Sequence, residues 1–163
     1  MPYQLDPGVL QSIRDLLLTR QHTIAVAESV TSGLLQVALS TRPDASQYYQ
    51  GGITAFNIGQ KARHLCVDPI HALSCNCVSE QVACQMAIQV CNFFNSTWGA
   101  AVTGYASPVP ESDNQLFAFY AITFQDKVID AGKIVPPADE PFNTQCWYAN
   151  KVLICLNNSL TIR

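Results

Sequence analysis

Charge is scarce in this sequence. Only 13% of its 163 residues are Asp, Glu, Lys or Arg, nine basic side chains stand against twelve acidic ones, and no block of basic residues occurs. A net charge of −3 and a pI near 5.4 exclude the electrostatic footprint of a nucleic-acid-binding chain. Long apolar runs are absent too. The longest, such as TIAVA at 23–27 and Trp98 to Val102, fall far short of the roughly 20 residues of a membrane span, so no transmembrane helix is expected. The opening MPYQLDPGVLQSIRDLLL has no basic start and no small-residue cleavage site after an apolar region, and reads as a helix entry rather than a leader. That predicts a cytoplasmic chain. Its seven cysteines, an odd number with no C-x-x-C pair, are then expected as thiols, and the sequons at Asn95 and Asn157 are not expected to carry glycans.

What is present is apolar substance: 48% hydrophobic residues and a mean hydropathy of +0.12, enough to offset the ordering entropy of one compact domain over residues 1–163. Asp6-Pro7 opens a helix whose apolar positions Val9, Leu10, Ile13, Leu16 and Leu17 run to about Arg20. Thr23 to Ala27 reads as a buried strand, followed by a helix through Leu34, Leu35, Val37 and Leu39. A second strand is predicted over Gly51 to Phe56, a helix over Asn57 to Val67, and a helix from Ser79 to about Asn95. Trp98 to Thr103 is the next strand, and Leu116 to Phe124 with Val128 to Val135 form a hairpin. Pro136, Pro137 and Pro141 bound a loop, and Cys146 to Leu156 is a closing helix. The order α-β-α-β-α-α-β-β-β-α predicts an α/β fold, a three-layer α/β/α sandwich with a mixed, mostly parallel sheet. The sheet edges and apolar composition also predict a homo-oligomer, a dimer by the simplest reading.

The sharpest local feature is Ala27-Glu28-Ser29-Val30-Thr31-Ser32-Gly33, at the carboxyl end of the first strand, where ligands bind in open α/β sheets. Two readings stand there: Ser29 and Thr31 cap the following helix, or Ser29 is a nucleophile with backbone amides at hand for an oxyanion. His22, His64 and His71 lie in no triad motif. Among four lysines, Lys61 follows the second strand, and a lysine desolvated in an apolar cleft loses its proton near neutral pH and can activate a serine. His71, Cys75 and Cys77 offer a zinc alternative. Their spacing does not match the usual knuckles, and Cys77, Cys84 and Cys91 at intervals of seven fit one helix face as small apolar residues.

Four blocks carry a resemblance. AESVTSG at 27–33 resembles AESCTGG, GITAFNIGQK at 52–61 resembles GFVTYSNEAK, CVSEQVACQMA at 77–87 resembles AVSEPVAxxMA, and AVTGYASP at 101–108 resembles AVTGIAGP. These are motifs of the CinA C-terminal domain family, the nicotinamide-mononucleotide amidohydrolases of PncC type, and the resemblance extends over almost the whole chain as the stand-alone form. It implies hydrolysis of the carboxamide of nicotinamide mononucleotide, or a related nucleotide amide, to the acid and ammonia. It implies a nucleotide as small-molecule substrate and neither cofactor nor metal. Position by position the serine is Ser29, the lysine Lys61, and the tyrosine position holds Phe56, which keeps the ring and lacks the hydroxyl. Thr31, Ser32 and Gly33, through backbone N–H groups that would meet an oxyanion, and Thr103 and Gly104, at the end of a neighbouring strand, are the expected substrate-binding residues. Ser32 replaces a family glycine, and Ser107-Pro108-Val109-Pro110-Glu111-Ser112 stands where the family carries a glycine-rich stretch. Two functional classes follow: a Ser-Lys amidohydrolase, or a nucleotide-binding or interaction protein that keeps the fold without turnover.

Overall fold

A computed structural model describes residues 4–163; the first three residues of the N-terminal stretch read above lie outside the described part. The elements in chain order are α1 (Pro7–Arg20), β1 (Ile24–Glu28), α2 (Leu34–Ser40), β2 (Tyr49–Thr54), α3 (Ile58–Leu65), α4 (Pro69–Ser74), α5 (Glu80–Phe93), β3 (Trp98–Gly104), β4 (Ala118–Phe124), β5 (Lys127–Ile134) and α6 (Pro141–Ile162). The helix starts are built as the sequence signals. The Asp6 carboxylate accepts from the amides of Gly8 and Val9, with Pro7 at the first turn, and Ser79 Oγ accepts from the amide of Val82. The hairpin turns on Gln125 and Asp126, both at positive φ, 49° and 57°, which matches the twist of its strands.

The sheet runs β2-β1-β3-β4-β5. β1 pairs in parallel with β2 and β3, while β3–β4 and β4–β5 are antiparallel. The sheet is mixed as expected, four strands share one direction, and the pairings divide evenly between the two kinds. From β1 the chain crosses through α2 to β2 on one side, then through α3, α4 and α5 to β3 on the other. The strand order thus reverses at β1, and a crevice opens at its carboxyl end.

Each face of the sheet has its own core. Ile24, Val26, Ala100, Val102 and Ile122 pack against α1, α2 and α6 through residues such as Leu17, Leu35 and Leu153. The opposite face presents Ala25, Ala27, Ala101 and Ala121 to α3 and α5. These small residues let α5 lie close, and Gly99 completes the contact: a Cβ there would stand 2.5 Å from the carbonyl oxygen of Ala87.

Several boundaries differ from expectation. The segment 69–74 forms the short helix α4, with Pro69 at its first turn and Asp68 as cap; its apolar Ile70 and Leu73 face solvent, so no core-facing periodicity announces it. β2 begins at Tyr49 and ends at Thr54, which leaves Phe56 outside the sheet. α6 runs from Pro141 to Ile162, because Pro141 occupies the first helical turn instead of ending a loop. β4 starts at Ala118. No described helix is long and apolar enough to cross a membrane, and all seven cysteines are unpaired.

One titratable contact ties α1 to the sheet. The indole N–H of the fully buried Trp98 donates to His22 Nδ1 at 3.1 Å, which requires a neutral imidazole there. Burial, followed by the charge of Arg20, lowers the His22 pKa below its usual 6.5. A depressed basic group contributes stability that is present above its unfolded pKa and lost as pH falls through it. The unfolding midpoint is therefore expected to drop between pH 7.5 and pH 5, and His22→Gln, whose amide oxygen accepts from the indole without titrating, to flatten that part of the curve. Thermal melts across this range, parent against variant, provide the check; an unaltered slope would assign the effect to other groups.

Candidate active site

The turn after β1 is organised by a carboxylate. Glu28 is 0% exposed, and strand alternation sends its side chain to the α2 face. There it accepts from Thr31 Oγ1 at 2.6 Å and from the amides of Leu35 and Gln36 at 2.9 and 3.1 Å. Glu28 thereby performs the capping of α2 that the sequence suggested for Ser29 or Thr31; the N-cap position itself is Gly33, which has no side chain to offer. The buried charge sits on the positive end of the helix. Ser32 and Gly33 follow in left-handed conformation, φ 49° and 102°, the second of which only glycine adopts without strain.

Ser29 stands next to this anchor. Its amide continues the ladder by donating to the Val102 carbonyl at 3.2 Å, and alternation turns its side chain to the α3–α5 face. The amides of Ser32, Leu34, Leu35 and Gln36 are engaged within the turn, whereas those of Val30, Thr31 and Gly33 find no acceptor among the described residues. Gln145 of α6 reaches in to donate to the Val30 carbonyl at 2.8 Å.

Lys61 comes from α3, which is started by Asn57 accepting from the amide of Gln60. Its side chain points inward and the residue is only 2% exposed. Nζ donates to Thr103 Oγ1 at 3.2 Å, and the Thr103 hydroxyl donates in turn to the Cys77 carbonyl at 2.7 Å. The direction of this chain matters. Because the threonine proton is committed to Cys77, Thr103 only accepts from the lysine, and a neutral amine keeps its lone pair free. Burial lowers the Lys61 pKa, while Cys77 and Cys75 act more weakly in the opposite direction. Burial raises the pKa of the Cys77 thiol, so no thiolate forms there to hold the lysine charged. With Glu28 committed to α2, no ion pair among the described residues opposes the neutral form.

Ser29, Lys61, Cys77 and Gly104 line one cleft of about 780 Å³, whose rim carries Phe56 and Glu111. Among the described residues, Lys61 and Glu111 are the only charged ones that line it. The structure thus brings together Ser29, Lys61 and Gly104. Thr103 lies beneath them, fully buried. Thr31, Ser32 and Gly33 form the turn behind Ser29 without lining the cleft, and Thr31 is buried on Glu28. Phe56 is 77% exposed. Gly104 also serves packing, since a Cβ there would come within 2.4 Å of Ala118 Cβ. Sequence reasoning passed over Asn76 and Tyr105, which line the cleft as well. Tyr105 directly follows Thr103-Gly104, and Asn76 adjoins Cys77, so proximity to the chosen motifs was the available signal. His71, part of the zinc alternative, instead bonds Ser79 Oγ at 2.8 Å with Cys75 Sγ at 3.7 Å, and no described group of three His, Cys, Asp or Glu is arranged to hold a metal ion.

A buried lysine without a carboxylate costs folding free energy, of the order of several kcal/mol if charged. Lys61→Met fills the same space without that cost. It is expected to raise the unfolding midpoint by about 3 °C at neutral pH, measured by calorimetry; a fall would mean that the amine contributes net stability where it stands.

Comparison with known proteins gives the family and the fold. Residues 8–127 match the family model described as the CinA C-terminal domain. A CinA-like protein of Picosynechococcus sp. is 38% identical over 114 residues, 70% of this chain and 27% of that protein. Another, from Gloeobacter violaceus, is 41% identical over 107 residues, 65% of this chain and 25% of that protein. The chain thus matches about a quarter of the length of these relatives. Among solved structures, a competence or damage-inducible protein from Enterobacter asburiae superposes with a TM-score of 0.87 at 22% identity, covering 93% of this chain and 96% of that one. The competence/damage inducible protein CihA from Agrobacterium tumefaciens gives a TM-score of 0.86 at 20% identity, covering 97% and 98%. The fold is the three-layer sandwich of these neighbours, and by the extent of the sequence match this chain belongs to the CinA C-terminal domain family.

Proposed function

We propose that the chain is a serine amidohydrolase that converts the carboxamide of nicotinamide mononucleotide, or of a related nucleotide, to the acid and ammonia. The observation that carries this reading is the buried Lys61 amine, free of any carboxylate, opening on the same cleft as Ser29. Neutral Lys61 accepts the Ser29 proton as Oγ attacks the amide carbon, and returns it to the leaving nitrogen. Ammonia departs, and a water activated by the same amine releases the acid and restores the serine. The unengaged amide of Val30, which lines the cleft, is the candidate oxyanion donor. Family membership supports the chemistry, and the nucleotide substrate is the reading drawn from the sequence motifs.

Ammonia release from nicotinamide mononucleotide is the direct test. Ser29→Ala is expected to lower kcat by about 10³-fold or more, and Lys61→Ala by about 10²-fold or more. Because only the neutral amine accepts a proton, activity rises with pH, and the midpoint of the rise lies below the ordinary lysine value of 10.5. Turnover that persists in Ser29→Ala would sink the mechanism. An inactive parent that still binds the nucleotide in calorimetry would favour the non-catalytic reading, which the exposed, hydroxyl-free Phe56 otherwise recommends.

A further inference from the structure

Among the described residues, Tyr105 is the only phenol that lines the cleft. It follows β3 in the alternation that turns Ala101 and Thr103 toward α3 and α5, so its ring rises on the same face as Ser29 and Lys61. Ideal strand spacing and rise set its Cα roughly 8 Å from that of Ser29, within the reach of a tyrosine side chain. The residue is only 9% exposed. Its amide donates to the Phe117 carbonyl at 3.0 Å, its carbonyl accepts from the Tyr148 hydroxyl at 2.8 Å, and its ring stands edge-on to Phe117 at 5.3 Å. This side chain is held, not mobile.

The hydroxyl has one partner, Asn76 Nδ2, which donates to it at 3.2 Å from a residue at φ 52°. A phenol that has accepted this bond still owns its proton, and that proton meets no acceptor among the described residues. A near-buried donor left without an acceptor is unfavourable until something supplies one. The cleft is the open direction. Phe56 has no hydroxyl and stands largely in solvent, so it cannot take this part.

We infer that Tyr105 is a catalytic residue of this site: its hydroxyl donates a hydrogen bond to the oxygen of the amide under attack by Ser29, with Asn76 fixing the direction of that donation. The inference rests on the Ser29–Lys61 reading. A donor of this kind acts on the transition state more than on the bound substrate.

A fluorophosphonate probe tests it without a known substrate: Ser29 Oγ bonds to phosphorus, fluoride leaves, and the phosphoryl oxygen takes the place of the amide oxygen. Tyr105→Phe is expected to slow labelling about tenfold or more, with its unfolding midpoint unchanged. The pH midpoint of labelling, which belongs to Lys61, should stay where it is while the plateau falls; a merely structural disturbance would shift the midpoint. With nicotinamide mononucleotide, kcat should fall by a similar factor and KM by no more than about twofold either way. Equal labelling rates in Tyr105→Phe and parent overturn the assignment, as does a tenfold acceleration by Phe56→Tyr, which would locate the donor at position 56. A parent that is not labelled at Ser29, judged against Ser29→Ala, overturns the Ser-Lys reading itself and is thereby told apart from failure of Tyr105 alone.

Discussion

The buried Glu28 carboxylate is the constraint from which the rest of the site follows. A charge removed from water must be answered by donors close at hand, and here the answer is one hydroxyl and two helix-start amides. That arrangement fixes where α2 begins, and with it the turn on which Ser29 is mounted. It also keeps Glu28 from pairing with Lys61. No ion pair to that lysine exists among the described residues, and desolvation lowers its pKa.

The sheet supplies the second condition. Reversal of strand order at β1 opens space at the carboxyl ends of β1 and β3, and the alanine-rich face lets α5 approach closely on one side. Lys61 reaches the cleft from α3, Gly104 from β3, Cys77 from the turn before α5 and Gln145 from α6. No two of these are close in sequence. The polar chain from Lys61 through Thr103 to the Cys77 carbonyl thus joins a helix, a strand and a loop, and it aligns the amine without consuming its lone pair.

Much of the fold was legible where one face of an element meets the core. The apolar spacing of α1 and α5, their caps at Asp6 and Ser79, and the hairpin around Gln125 and Asp126 were all readable in this way. Elements without that signal were not. The large apolar side chains of α4, Ile70 and Leu73, face solvent, and β2 is an edge strand of intermediate burial whose limits depend on its pairing with β1. Pro141 looked like an interruption because a proline at a helix start and one in a loop are indistinguishable until the following residues find something to pack on.

For the site itself, residue chemistry offered Ser29 and Lys61 only as candidates, the serine equally readable as a helix cap, and the motif resemblance singled them out; both line one cleft. Tertiary structure decided the rest. That Glu28 caps α2, that Thr31 is spent on Glu28, and that Tyr105 lines the cleft all depend on which way side chains face. Sequence order determines alternation along a strand. The partner that each side chain meets across the sheet is set only when the strands and helices have packed.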